Sequence, residues 1–149
     1  MVRVGIVGFG KIARQAHVPS FMRMKNVEVS CVVDSNPKAL RIAKNKFRIE
    51  KVTTDLDKIL EDNIDIVDIC TPPMTHADLC IWAAENGKNV LVEKPVATSV
   101  EEARSIEKAV LKNGVKLCIV SNYRYNPALL YIKKLHTRGE LGKILTIYI

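Results

Sequence analysis

The apolar run Asn89-Val90-Leu91-Val92 ends in Glu93-Lys94-Pro95, which places an amine at the mouth of what reads as a buried strand. An amine there can hold or hand over a proton at a substrate oxygen. Its reference pKa of about 10.4 falls with desolvation or beside a positive charge, and rises if it pairs with Glu93. Successive side chains on a strand point to opposite faces, so Glu93 and Lys94 cannot both aim the same way. The competing reading is a strand-end salt bridge. Pro95 ends the ladder, and an X-Pro bond tolerates the cis form at about 0.5–1 kcal/mol, so a cis Lys94–Pro95 peptide is expected.

A second group lies near the N-terminus. Gly8-Phe9-Gly10-Lys11-Ile12-Ala13 has the G-x-G-x-x-G/A form, between the run Val2–Val7 and a helical pattern. Gly8 permits a tight turn, Gly10 lets a pyrophosphate approach the backbone, and Ala13 is small enough for helix and sheet to pack closely. The N–H groups opening that helix, at Lys11 and Ile12, face the phosphates. Val27–Val33 ends in Asp34, 21 residues beyond Ala13. A carboxylate there accepts hydrogen bonds from the adenosine ribose hydroxyls and repels a 2′-phosphate, which favours NAD over NADP. Asp34 also reads as part of a helix start, because Asp34-Ser35-Asn36-Pro37 is good capping chemistry. In Thr71-Pro72-Pro73-Met74-Thr75-His76, two prolines keep the backbone extended and withhold N–H groups. Thr71 and Pro72 can wall the cofactor; His76 either joins that wall or packs at the next helix start.

These residues need elements to hold them. β-branched runs at 2–8, 28–34, 65–70, 89–93 and 116–121, with a weaker one at 51–53, alternate with helical periodicity near 11–24, 37–48, 55–61, 75–86 and 99–113. Asn36-Pro37 and the capping box Ser99-x-x-Glu102 mark helix starts, and Gly87 and Gly114 mark ends. Strands apolar nearly throughout, joined by helices, imply an α/β fold with a doubly wound parallel sheet of Rossmann type. Its strand order is 3-2-1-4-5-6, and ligands lie beyond the carboxyl ends of the first and fourth strands. The glycine turn, Asp34, Thr71 and Lys94 all fall at such ends.

A chain of 149 residues suffices for one core. Its net charge of +7 comes from basic residues spread among 16 acids. Lys38, Arg41, Lys44 and Arg48 recur at helical spacing as a solvated face, and aromatic content is only 5%. That pattern argues against nucleic acid and for an anionic cofactor or substrate. Cys31, Cys70, Cys80 and Cys118 are dispersed in apolar segments without C-x-x-C spacing or clustering with His17, His76 or His136. They read as reduced, buried thiols, with no metal site. Glycine interrupts the apolar N-terminus within a few residues, so neither a signal peptide nor a membrane span is expected, and a cytoplasmic chain is the default.

Taken together, Gly8-Phe9-Gly10, Asp34, Thr71-Pro72, Glu93-Lys94-Pro95 and Tyr123-Arg124-x-x-Pro127 resemble the glucose–fructose oxidoreductase, inositol dehydrogenase and rhizopine-catabolism (Gfo/Idh/MocA) family. The resemblance runs the whole chain in order. It implies NAD(P)-dependent interconversion of a hydroxyl and a carbonyl on a sugar or polyol, with Lys94 at the substrate oxygen, Glu93 beside the cofactor, and Tyr123 and Arg124 at the nicotinamide end. Pro73 stands where the family commonly has asparagine. The family continues from a G-x-L-G turn, here Gly139-Glu140-Leu141-Gly142, into a substrate domain. The expected division is therefore a dinucleotide-binding domain over 1–122, then a connecting helix and the first strand of an absent substrate domain over 123–149. The chain is then a truncated dehydrogenase or a stand-alone dinucleotide-binding module. Residues 143–149 are strong strand formers, expected to pair with a second copy as a homodimer or to fold back on their own domain.

Overall fold

The computed structural model describes residues 1–148, apart from the side chain of Asp62. Six parallel strands form one sheet: β1 (Val2–Val7), β2 (Val27–Val33), β3 (Lys51–Thr53), β4 (Ile66–Ile69), β5 (Asn89–Val92) and β6 (Leu117–Ile119). Their order is β3-β2-β1-β4-β5-β6, as the alternation of strands and helices predicts. The crossovers carry α1 (Val18–Met22), α2 (Pro37–Phe47), α3 (His76–Glu85) and α4 (Val100–Asn113), and α5 (Pro127–Thr137) follows the sheet.

Alternation along β1 sends side chains into two separate cores. Val4 and Ile6 pack with Phe9, Ala13, Val18, Leu40 and Ala43 on the face covered by α1 and α2. Val7 packs with Val67, Ile69, Cys80, Val90 and Ile106 on the face covered by α3 and α4. Each fully buried Val or Ile contributes about 1.5–3 kcal/mol, so both faces stabilise the sheet and fix its register. Gly5 lies in β1 because Ile59 fills the space beside it: a Cβ there would stand 2.5 Å from the Ile59 side chain. Between Val4↔Val29 and Gly5↔Cys31 the register slips by one residue, which makes Ser30 a β-bulge.

The caps work as their sequences suggest. The Asn36 side chain accepts the Lys38 N–H at 2.9 Å, and Ser99 accepts the Glu102 N–H at 3.1 Å. Glu102 reaches back one residue further than a capping box requires, accepting from the Thr98 N–H at 2.7 Å.

Several expectations need correction. The helix expected near 55–61 is a 3₁₀ run, Asp57–Asp62, stopped by Asn63 at φ 50°; so short a connector holds its turn through buried Ile59 rather than through helix propensity. The helical run 11–22 contains a π-type turn over Ala13–His17. β6 is half the length expected, and Cys118 on this edge strand is exposed, unlike the other three free cysteines. Residues 144–148 form no ladder, since a strand former needs a neighbour to satisfy its backbone; Ile149, the last residue of that expected strand, lies outside the described residues. No helix among the described residues is long and apolar enough to cross a membrane.

Candidate functional site

The glycine turn leaves β1 at Gly8, whose φ of +88° is a left-handed conformation that side chains rarely adopt. Its N–H donates to Val33 O at 2.8 Å, and a Cβ would meet the Cys70–Thr71 backbone at 2.9 Å. Gly10 is different, for a Cβ there meets no protein atom within 4 Å. It opens on a groove of about 350 Å³ lined by Gly8, Asp34, Ser35, Thr71 and Pro72. That bare backbone beside a helix start is a cradle suited to a pyrophosphate.

Phe9 does not line this groove. Its ring is fully buried, edge-on to Phe47 with centroids 5.5 Å apart, and its N–H donates to Asp34 Oδ2 at 2.6 Å. Asp34 Oδ1 accepts from the Asn36 N–H at 2.7 Å. The helix cap is Asn36 and not Asp34, so the carboxylate braces the glycine turn at the groove's edge.

A second groove, about 410 Å³, adjoins the first through Thr71. Ile12, Glu93, Lys94, Val120, Ser121, Asn122 and Tyr123 line it. The Lys94–Pro95 peptide is cis, as expected. Four expected residues line neither groove: Phe9 and His76 are buried, Lys11 occupies a basic depression with Arg14 and Lys46, and Arg124 is absent from either lining. His76 is fully buried, with Nδ1 2.7 Å from Pro95 O and Nε2 2.9 Å from Thr71 O. Its ring therefore packs at the helix start, tying the exits of β4 and β5 together, and presents no free nitrogen to a ligand. A larger concavity, about 630 Å³, lies at the opposite end of the sheet and mixes Arg3, Glu28, Arg48 and Glu50 around the bulged Ser30. It brings none of the candidate residues together.

Behind Lys94 lies a polar cluster that the sequence did not reveal. His17 Nδ1 is 2.9 Å from Asp68 Oδ2, and Nε2 is 3.0 Å from Glu93 Oε1. Glu93 Oε2 accepts the Lys94 N–H at 3.1 Å. Cys70 Sγ is 3.4 Å from His17 Nδ1, so one cysteine does cluster with a histidine, contrary to the sequence spacing. Burial lowers the affinity of His17 for its proton, but hydrogen bonds and charge from Asp68 and then Glu93 outweigh it and lift the pKa to about 9. With a carboxylate against each nitrogen, His17 is held toward its protonated form. Burial pushes the Asp68 carboxyl up, and the hydrogen bond from His17 pulls it back. Burial and the neighbouring carboxylates push the Cys70 thiol far up, which keeps it an unreactive thiol. One signal did point here: Asp68 interrupts the apolar strand Ile-Val-Asp-Ile, and a buried carboxylate requires a partner.

Comparison with known proteins decides the family. Residues 2–121 match the model of the GFO_IDH_MocA oxidoreductases, described as an NAD-binding Rossmann fold. The chain belongs to the Gfo/Idh/MocA family. Among its relatives, scyllo-inositol 2-dehydrogenase (NAD(+)) of Bacillus subtilis is 34% identical over 143 residues, covering 95% of this chain and 42% of the relative. The NADP(+) enzyme IolW of the same organism is 30% identical over 146 residues, covering 97% and 40%. The WlbA dehydrogenase of Bordetella pertussis, solved with NADH and UDP-GlcNAcA, superposes with a TM-score of 0.90 at 31% identity, over 96% of this chain and 41% of that one. This Gfo/Idh/MocA chain therefore spans about two fifths of the length of these relatives.

Proposed function

We propose that this chain is the NAD(H)-binding part of an oxidoreductase that interconverts a hydroxyl and a carbonyl on a sugar or polyol. The observation that carries this reading is the pair of adjoining grooves, which meet at Thr71 and place the bare Gly10 backbone in one and Lys94 in the other. A dinucleotide laid across both has its pyrophosphate on the glycine turn and its nicotinamide beside Lys94. NAD, when bound, supplies the hydride acceptor or donor. Gly10, Lys11 and Ile12 offer backbone N–H groups to the phosphates, those of Gly8 and Phe9 being committed to Val33 O and Asp34 Oδ2, and Asp34 takes the ribose hydroxyls. Thr71 and Pro72 form the wall between the grooves, and Glu93 borders the nicotinamide side.

Lys94 handles the proton. Oxidation of a hydroxyl releases a hydride and a proton; the amine holds the proton at the oxygen, and in the reverse direction it returns it to the new alkoxide. Family membership supports this class of reaction, and inositol dehydrogenases among the relatives support a polyol substrate. The preference for NAD rests on Asp34, since the relatives include both an NAD(+) and an NADP(+) enzyme. Residues 123–149 are the connection to a substrate domain, consistent with α5 lying exposed beyond the sheet.

Calorimetric titration with NADH and NADPH, run beside an oxidation survey of cyclitols and sugars with NAD, tests the proposal. NADH binding at least tenfold tighter than NADPH is the expected result. Binding without turnover would assign the chain a binding role alone, and absence of NADH binding would refute the reading.

A further inference from the structure

Glu93 and Lys94 carry opposite charges on adjacent residues, yet they form no ion pair. Both Glu93 oxygens are engaged elsewhere: Oε1 with His17 Nε2 at 3.0 Å and Oε2 with the Lys94 backbone N–H at 3.1 Å. Among the described residues, the Lys94 ammonium has no salt-bridge or hydrogen-bond partner. Strand alternation separates the two side chains at the exit of β5, but a glutamate is long enough to turn back toward its neighbour. Something must hold it away.

His17 is placed to do so. It ends the π-type turn of the glycine-led helix, where the Val18 N–H donates to Ala13 O, five residues back. Such a turn widens the helix locally, and π-type turns often occur at functional sites. The ring reaches between β4 and β5, anchored at Nδ1 by Asp68, which is fully buried. Asp68, Cys70 and Glu93 are the titratable groups against it, and Phe21 covers its edge at 6.4 Å between ring centroids. Removing the ring would leave Asp68 without its ion-pair partner and Glu93 held only by the bond from the Lys94 N–H.

We infer that His17 is a positioning residue for Lys94: by drawing Glu93 back toward Asp68, it denies the ammonium the carboxylate of the adjacent residue and leaves it open to the groove. The inference rests on the reading of Lys94 as the proton-handling group. It gives His17 a role without contact to substrate or cofactor.

The test needs neither turnover nor cofactor. Lysines of the cofactor-free chain are trinitrophenylated under slightly alkaline conditions, and the Lys94 rate is read by peptide mass spectrometry relative to exposed lysines such as Lys44. In His17→Gln, the released Glu93 pairs with Lys94, and its relative labelling falls at least threefold. The double variant His17→Gln/Glu93→Gln returns it to the wild-type rate. General loosening of the fold would speed labelling and would not be rescued, so that pattern overturns the inference, as does an unchanged rate in His17→Gln. Should His17→Gln fail to fold by circular dichroism, Glu93→Gln alone decides. Labelling within threefold of wild type is expected; an acceleration of threefold or more means that Glu93 already pairs with Lys94, which overturns the inference. NADH titration of the wild-type chain separates this outcome from a failure of the functional reading.

Discussion

Alanine at Gly8 and alanine at Gly10 are chemically the same change two residues apart, and the structure predicts opposite consequences. At Gly8 the methyl enters a left-handed backbone at φ +88° and meets Thr71 and the Cys70–Thr71 backbone at 2.8–2.9 Å. The left-handed conformation costs about 1–2 kcal/mol and overpacking about 1–3 kcal/mol. Their sum, about 2–5 kcal/mol, is a large share of a total stability of about 5–15 kcal/mol. At Gly10 the methyl meets nothing within 4 Å, so stability changes by about 0.5 kcal/mol or less. It does stand where a pyrophosphate must approach the backbone. Losing one charge-assisted hydrogen bond there costs about 1.5–3 kcal/mol, which weakens NADH by about 10- to 150-fold. Urea unfolding followed by circular dichroism measures the first effect, and calorimetric NADH titration the second. A Gly10→Ala chain that binds NADH as tightly as wild type, or that loses as much stability as Gly8→Ala, would refute the reasoning.

Four further outcomes follow from the same geometry. His17 rises from 6.5 to about 9 on folding, so its stabilisation is complete below its unfolded value and is lost as pH climbs through the folded one. The shift is worth about 3 kcal/mol at most, reduced by screening at the groove side to about 1–2 kcal/mol, and between about pH 6 and about pH 10 the urea midpoint will fall further in wild type than in His17→Gln, where only the buried thiols of Cys70 and Cys80 still lose stability as pH rises. Asp34→Ala removes the acceptor for the Phe9 and Asn36 N–H groups, and is expected to weaken NADH and narrow its advantage over NADPH in parallel titrations. Gly5→Ala drives a methyl to 2.5 Å from Ile59; a loss of about 1–3 kcal/mol is expected, partly recovered on adding Ile59→Val in a denaturation cycle. Leu145, Ile147 and Tyr148 are exposed, and self-pairing of the tail predicts that the chain sediments as a dimer while one ending at Gly142 sediments as a monomer.

The sheet was legible because its central strands carry apolar residues for both faces, so Val2–Val7, Val27–Val33 and Asn89–Val92 announce themselves by composition, and caps such as Asn36 and Ser99 mark the helices between them. Asp57–Asp62 was misread because six residues around one anchoring Ile59 carry too little periodicity to separate a 3₁₀ turn from an α-helix. In the site, local motifs showed where the backbone turns, which served for Gly8, Gly10 and Lys94. They said nothing of where long exposed side chains go, and so Lys11 and Arg124 lie outside the grooves. The His17 cluster was hidden for another reason: its partners lie 51 and 76 residues away in sequence, brought together only by the order of β1, β4 and β5.

The central claim, that the adjoining grooves at the carboxyl ends of β1, β4 and β5 hold NAD(H), is tested most directly by amide chemical shifts. The ¹⁵N-labelled chain, titrated with NADH to roughly 1 mM, is predicted to show saturable shifts at Gly8, Gly10, Asp34, Thr71 and Lys94. Residues 28–30 and 48–51, around the larger concavity at the other end of the sheet, are predicted to stay unchanged. Shifts confined to that opposite concavity, or none at all in a folded chain, would contradict the account.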